Sequence, residues 1–117
     1  MSKLRVVKAH QASYADPIKV LQGEPVALAH KTDIWDGFTW VWSKDVRGKS
    51  CWVPDTLVSN GVATRDYHAM ELTCDEGDIL VQHHVTHGWA WCRDASGNEG
   101  WVPQRNLEPV KTKNPAS

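Results

Sequence analysis

The feature that most constrains this chain is a spelling that occurs twice. Trp40-Val41-Trp42 is followed after nine residues by Trp52-Val53-Pro54, and Trp89-Ala90-Trp91 after nine residues by Trp101-Val102-Pro103. Tryptophan at every second position has the period of a strand, which sets both rings on one face. Trp89, Trp91, Asp94, Gly97, Trp101, Val102 and Pro103 fall on Trp40, Trp42, Asp45, Gly48, Trp52, Val53 and Pro54 at one offset of 49 positions (89 − 40). Further upstream, Ala63, Ala69, Gly77 and Asp78 fall on Ala9, Ala15, Gly23 and Glu24 at an offset of 54 (63 − 9). The first copy is therefore the longer one, by a loop between its second and third strands, where related units best tolerate a change of length.

A duplication within 117 residues predicts two very small domains. Units of about 55–60 residues bury little surface and are marginal alone. Tryptophan compensates, because each ring can bury on the order of 200 Å², and six of the seven tryptophans lie in the matched blocks. Short strands are expected over residues 4–9, 24–30, 38–42 and 49–53, with 31–37 a polar loop carrying Trp35 and Arg47-Gly48 a hairpin turn. No stretch has the pattern of an ordinary helix. Ser59-Asn60-Gly61 is the one segment that reads as a linker, giving domains at 1–59 and 60–110 and a frayed tail at 111–117. The fold expected is all-β, with two small five-stranded barrels in tandem, since closing a sheet removes its edges.

Composition narrows the function classes. A formal net charge of −1 provides no field to draw in nucleic acid or an anionic membrane, and no run of residues is long and apolar enough for a transmembrane helix. The first residues lack the apolar core of a signal peptide, so a cytoplasmic protein is expected. Cys51, Cys74 and Cys92 are odd in number and contain no Cys-x-x-Cys pair, which fits reduced thiols packed as small apolar side chains. His83, His84 and His87 suggest a metal at first sight, but adjacent strand residues face opposite ways and no cysteine or carboxylate stands at a supporting spacing. No nucleophile elbow and no phosphate-cradling glycine loop is present. The expectation is a binding protein without catalytic activity, metal or cofactor.

Ala63-Thr64-Arg65-Asp66-Tyr67, Glu71-Leu72-Thr73-Cys74, Gly77-Asp78, Trp89-Ala90 and Gly100-Trp101-Val102-Pro103-Gln104-Arg105-Asn106 occur in the order and spacing of the Src-homology-3 (SH3) family, which the second copy resembles from about Gly61 to Val110. The resemblance implies an SH3-like barrel for each copy, of the compact variant type of prokaryotic proteins, with the first copy the divergent one. It also implies a protein or peptide partner, including a proline-rich one, whose extended shape costs little entropy to fix. Carried over, the peptide groove uses Tyr67, Trp89, Trp101 and Pro103, with Glu71 as the acid that receives a ligand Arg or Lys. Trp40, Trp52 and Pro54 are the counterparts in the first copy, where Ser13 stands at the tyrosine position and Pro17 at the acid. Arg65 and Asn106 replace two groove tyrosines, and the loop between Tyr67 and Glu71 is short. Trp42 and Trp91 are expected to pack in the core or an interface. An alternative is a structural unit whose aromatics dock repeat on repeat or chain on chain. Stacking of nucleic-acid bases and binding of wall peptides are weaker readings.

Overall fold

The computed structural model of the protein describes residues 2–13 and 16–110; the tail expected at 111–117 lies outside the described residues. The chain is all-β. Its strands are β1 (Ser2–Val6), β2 (Lys19–Val20), β3 (Ala27–Trp35), β4 (Phe38–Lys44), β5 (Ser50–Pro54), β6 (Val58–Ser59), β7 (Val62–Ala63), β8 (Tyr67–His68), β9 (Ile79–Thr86), β10 (Trp89–Arg93), β11 (Glu99–Pro103) and β12 (Leu107–Pro109). Among the described residues, the single helical element is a 3-10 turn at Gln104–Asn106. Residues 31–35, expected in a loop, extend β3 up to the Asp36-Gly37 turn, where Trp35 pairs with Phe38.

The duplicated blocks form two hairpins in identical register. Trp40, Val41 and Trp42 face Pro54, Val53 and Trp52, while Trp89, Ala90 and Trp91 face Pro103, Val102 and Trp101. Their turns match as well. The Asp45 Oδ1 accepts from the backbone N–H of Arg47 and Lys49, and the Asp94 Oδ1 accepts from those of Ser96 and Asn98.

Two compact units are present, and neither follows the expected boundary at 59/60. The first unit is Met1–Ala12, Glu71–Val85 and Trp89–Ser117; the second is Ser13–Met70 with Thr86–Gly88. The reason lies at Asn60-Gly61, which is a hairpin turn and not a linker. Ser59 pairs with Val62 and Val58 with Ala63, and both turn residues have positive φ, 52° and 77°. This is the type I′ geometry that Asn-Gly favours. β7 therefore pairs with the strand just before it.

In the first unit, β1 lies in a five-stranded sheet of order β11-β10-β9-β1-β12, with Val6 opposite Leu107 and Leu4 opposite Leu80. The hydrogen bonds identify what β1 replaces. Gly77 N–H donates to the Val6 carbonyl and Val6 N–H to that of Asp78, at 2.8 and 2.9 Å. In the second unit Gly23 and Ala63 donate in the same way to Ala63 and Glu24, at 2.8 and 2.9 Å. Val6 thus holds in one unit the position Ala63 holds in the other. The offset across the first strand is 57 (63 − 6), not 54, so the first copy also carries three extra residues ahead of Pro17.

The first unit's core gathers Val6, Leu72, Cys74, Leu80, Ala90, Cys92 and Val102, with Leu107 packed against it. Alternation along β10 sends Ala90 and Cys92 into this core and leaves Trp89 and Trp91 half-buried on the opposite face. Complete burial of Val6, Leu80 and Val102 stabilises the unit by about 1.5–3 kcal/mol for each side chain. Ile18, Val20, Val53, Leu57 and Ala63 are the corresponding buried side chains of the second unit.

Candidate functional site

In the first unit, register places Trp89 at the start of β10 directly across from Pro103 at the end of β11. Glu71 lies beside Trp101 in a parallel bridge, and Leu72 N–H donates to the Trp101 carbonyl at 3.0 Å. His10 completes the group. Its backbone bonds both ways with Cys74, at 2.9 and 2.8 Å, and its ring meets Trp89 edge-on with centroids 5.5 Å apart. His10 Nε2 lies 2.7 Å from Glu71 Oε1, with the two side chains only 17% and 16% exposed. A partly exposed indole and a carboxylate already partnered by an imidazole thus lie together, while Pro103, across the ladder from Trp89, is buried.

Of the five residues expected to form one groove, Glu71, Trp89, Trp101 and Pro103 fall in the first unit and Tyr67 in the second. Tyr67 is buried in β8 opposite Val20. Since Val20 and Cys74 are counterparts at the 54 offset, His10 takes the tyrosine's position in the first unit. The signal for His10 was present in Val6-Val7-Lys8-Ala9-His10, which fits Ala63-Thr64-Arg65-Asp66-Tyr67 once three residues are allowed before Pro17. Asn106, at a position where the family has a groove tyrosine, is buried, and its Nδ2 donates to the Ala9 carbonyl at 3.4 Å.

The tryptophans divide differently from the expectation. Trp101, 5% exposed, is buried, while Trp91 stays half-buried across from it with rings 5.2 Å apart at 73°. Trp91 Nε1 donates to Glu99 Oε2 at 3.3 Å. In the second unit Trp40 faces Pro54, but the indole is 4% exposed and Pro54 is fully buried. Trp35 covers Trp40 at 5.2 Å and His87 approaches it edge-on at 5.5 Å. His87 is itself fixed by Phe38 at 5.2 Å and by Asp55 Oδ1, 2.7 Å from Nε2. Trp52 meets Trp35 and Trp42 edge-on, at 5.4 and 5.3 Å.

The remaining polar and thiol groups serve the scaffold. The buried Asp45 Oδ2 accepts from Lys19 N–H at 3.2 Å and from Arg47 Nε and Nη2 at 3.2 and 3.1 Å. Burial raises this carboxyl's pKa, but the backbone N–H groups of Lys19 and Lys49 and the Arg47 guanidinium outweigh it and hold the group below the usual carboxylate range. Burial, then the charges of Lys19 and Arg47, push the His68 imidazole below its ordinary value. The three cysteines are free thiols and buried; burial, with Cys74 adding to it, pushes the Cys92 thiol up to about 11. His83, His84 and His87 have different neighbours, Glu99, the Trp91–Trp101 pair and Asp55.

Residues 60–110 match the family model for the variant SH3 domain. This supports an SH3-like domain in the second copy, and domains of this kind are in general non-catalytic protein-interaction modules. The matched stretch draws residues 60–70 from the second unit and most of 71–110 from the first. No curated protein and no solved structure matches the chain.

Proposed function

We propose that the chain is a non-enzymatic protein-interaction module of two SH3-like repeats that exchange their first strands, and that it binds an extended peptide segment of a partner on the first unit. The observation that carries this reading is the partly exposed Trp89 ring, met edge-on by His10, with the Glu71 carboxylate bound to the same imidazole. A flat, partly exposed indole accepts the ridge of a polyproline II segment, which enters already extended. A basic ligand side chain would compete with His10 for this carboxylate. A proline-rich peptide carrying one arginine is the fitting probe. Titration should move the amide and ring signals of His10, Glu71 and Trp89, and Trp89→Ala should abolish those shifts while urea unfolding stays near that of the wild type. Shifts that avoid these three residues would remove the reading.

For the second unit, the same surface supports a structural role. Trp40 is covered by Trp35 and His87, and its indole N–H, buried, has no acceptor among the described residues. Trp40→Ala should lower stability by about 3–5 kcal/mol, as for a buried aromatic, and leave peptide affinity unchanged in whatever fraction stays folded.

A further inference from the structure

β3 runs along the border of a three-stranded sheet of order β3-β4-β5 in the second unit, and eight of its nine residues are exposed. In the first unit β1 covers the start of the equivalent strand, pairing with β9 from Ser2 opposite Gln82 to Arg5 opposite Ile79. β7, which holds the position of β1 in the second unit, bonds only to residues 23–26 before the chain turns back at Asn60-Gly61. No described strand lies along the outer edge of β3 beyond that point.

The hairpin register fixes which backbone groups face outward. Asp36 and Gly37, with φ of 52° and 82°, join Trp35 to Phe38 as a two-residue turn. Trp35 and Phe38 therefore exchange backbone hydrogen bonds, and by alternation so do Asp33 and Trp40. Thr32 and Ile34 turn their N–H and C=O groups away from β4. One of these groups is capped within the chain, since Ile34 N–H donates to Asp33 Oδ1 at 2.8 Å, while Asp33 Oδ2 accepts from Trp35 Nε1 at 2.9 Å. The Ile34 side chain is 68% exposed.

Outward backbone groups beside an exposed isoleucine are a template for strand pairing, and an antiparallel edge can pair with its own copy across a two-fold axis. One register uses both residues, with Thr32 opposite Ile34 of the second copy and Ile34 opposite its Thr32. That register sets Asp33 against Asp33 on the axis, where facing side chains stand about 5 Å apart and like charges oppose pairing. The same carboxylate withholds Ile34 N–H from the ladder. The neighbouring registers fit worse. Thr32 opposite Thr32 brings Ile34 onto His30, where φ is 56° and β3 is bulged between Leu28 and Thr32, and Ile34 opposite Ile34 runs Thr32 onto the turn at Asp36.

We propose that the outer edge of β3 is a pairing edge for a second copy of this chain, and that Asp33 keeps it closed, through its charge across the axis and its cap on Ile34 N–H. The surface belongs to the second unit and the inference does not depend on peptide binding at Trp89, so either can fail while the other stands.

Sedimentation equilibrium of the full chain over a concentration series tests it. Asp33→Thr removes charge and cap together and places a Thr–Thr pair on the axis. It should dimerise about ten- to hundredfold more tightly than the wild type, from the two released N–H groups and the lost repulsion. Asp33→Glu keeps the charge and should behave as the wild type. Adding Thr32→Pro to Asp33→Thr removes an outward N–H that β4 does not use and should restore the monomer. Hydrogen exchange at the Thr32 and Ile34 amides should slow in the Asp33→Thr dimer. Both positions are exposed, so these variants leave the buried core as it is. An Asp33→Thr chain no more associated than the wild type, an Asp33→Glu chain that dimerises as Asp33→Thr does, or a dimer that Thr32→Pro leaves intact would each overturn the assignment.

Discussion

Val6→Ala is the sharpest test of how the strands are shared. Val6 is 0% exposed and packs among Leu72, Cys74, Leu80, Ala90, Cys92 and Val102, all more than 60 positions further along the chain. Removing two methyl groups forfeits about 1.6 kcal/mol of transfer free energy at about 0.8 per group. A residual cavity of about 40 Å³ adds about 1 kcal/mol at the rate measured for core truncations. The expected loss is therefore about 2–3 kcal/mol. It should appear in urea unfolding as a lower midpoint with an unchanged slope. Location decides the question more firmly than size. The substitution should shift the amide signals of Leu80, Ala90, Cys92 and Val102 and spare Val20, Val53 and Leu57. A chain whose two copies fold in sequence order would give the reverse pattern, and that result would refute the strand exchange.

Two further outcomes follow from single residues. Gly61→Ala should cost about 1 kcal/mol, because φ is +77° and the penalty is conformational, with nothing within 4 Å of an added Cβ; a flexible linker would show no loss on thermal unfolding. Asp45→Ala should cost about 3 kcal/mol at pH 7, because it strands the donors of Lys19, Arg47 and Lys49. The folded carboxyl titrates below its unfolded value, so its contribution is complete above about pH 4 and is lost as pH falls through the folded pKa. Unfolding curves at pH 7 and pH 3 should therefore show the gap from wild type shrinking in acid, and an equal gap at both would assign the stabilisation to something other than the charge.

What the sequence made legible was local. The offset of 49 across Trp40–Pro54 and Trp89–Pro103 reproduces both hairpin registers, and Asp45-Gly48 and Asp94-Gly97 repeat the same turn. Such features depend on neighbours a few residues apart. The partner of β1 was not legible, because β12 and β9 lie far along the chain and a short apolar strand carries no mark of which sheet it joins. Asn60-Gly61 did carry its mark, an Asn-Gly between Val58 and Val62, but read as a linker it concealed the exchange. The gapless 54 offset then set Ser13 against Tyr67 and hid His10. Trp101 was expected in the groove because the family resemblance carries a groove position onto it; it lies opposite Trp91 and is buried.

The proposed exchange would follow from the length of one connection. With two residues between Ser59 and Val62, the flanking strands can only fold back on each other. β7 then occupies the position next to β6 that the chain's first strand would take if each copy folded alone. β1 is left to pair with β12, the final strand of the second copy, and with β9. The longer loop this closes is a small penalty, since each doubling of loop length costs only about 0.6 kcal/mol, against the burial of Leu4 and Val6 between two partners. The consequence reaches the surface proposed for binding. The ring that meets Trp89 and the nitrogen that holds Glu71 both belong to His10, which follows β1 into the first unit. Residues 60–110 supply Trp89, Pro103 and Glu71, but the surface around Trp89 is completed only when the first ten residues of the chain are docked beside them.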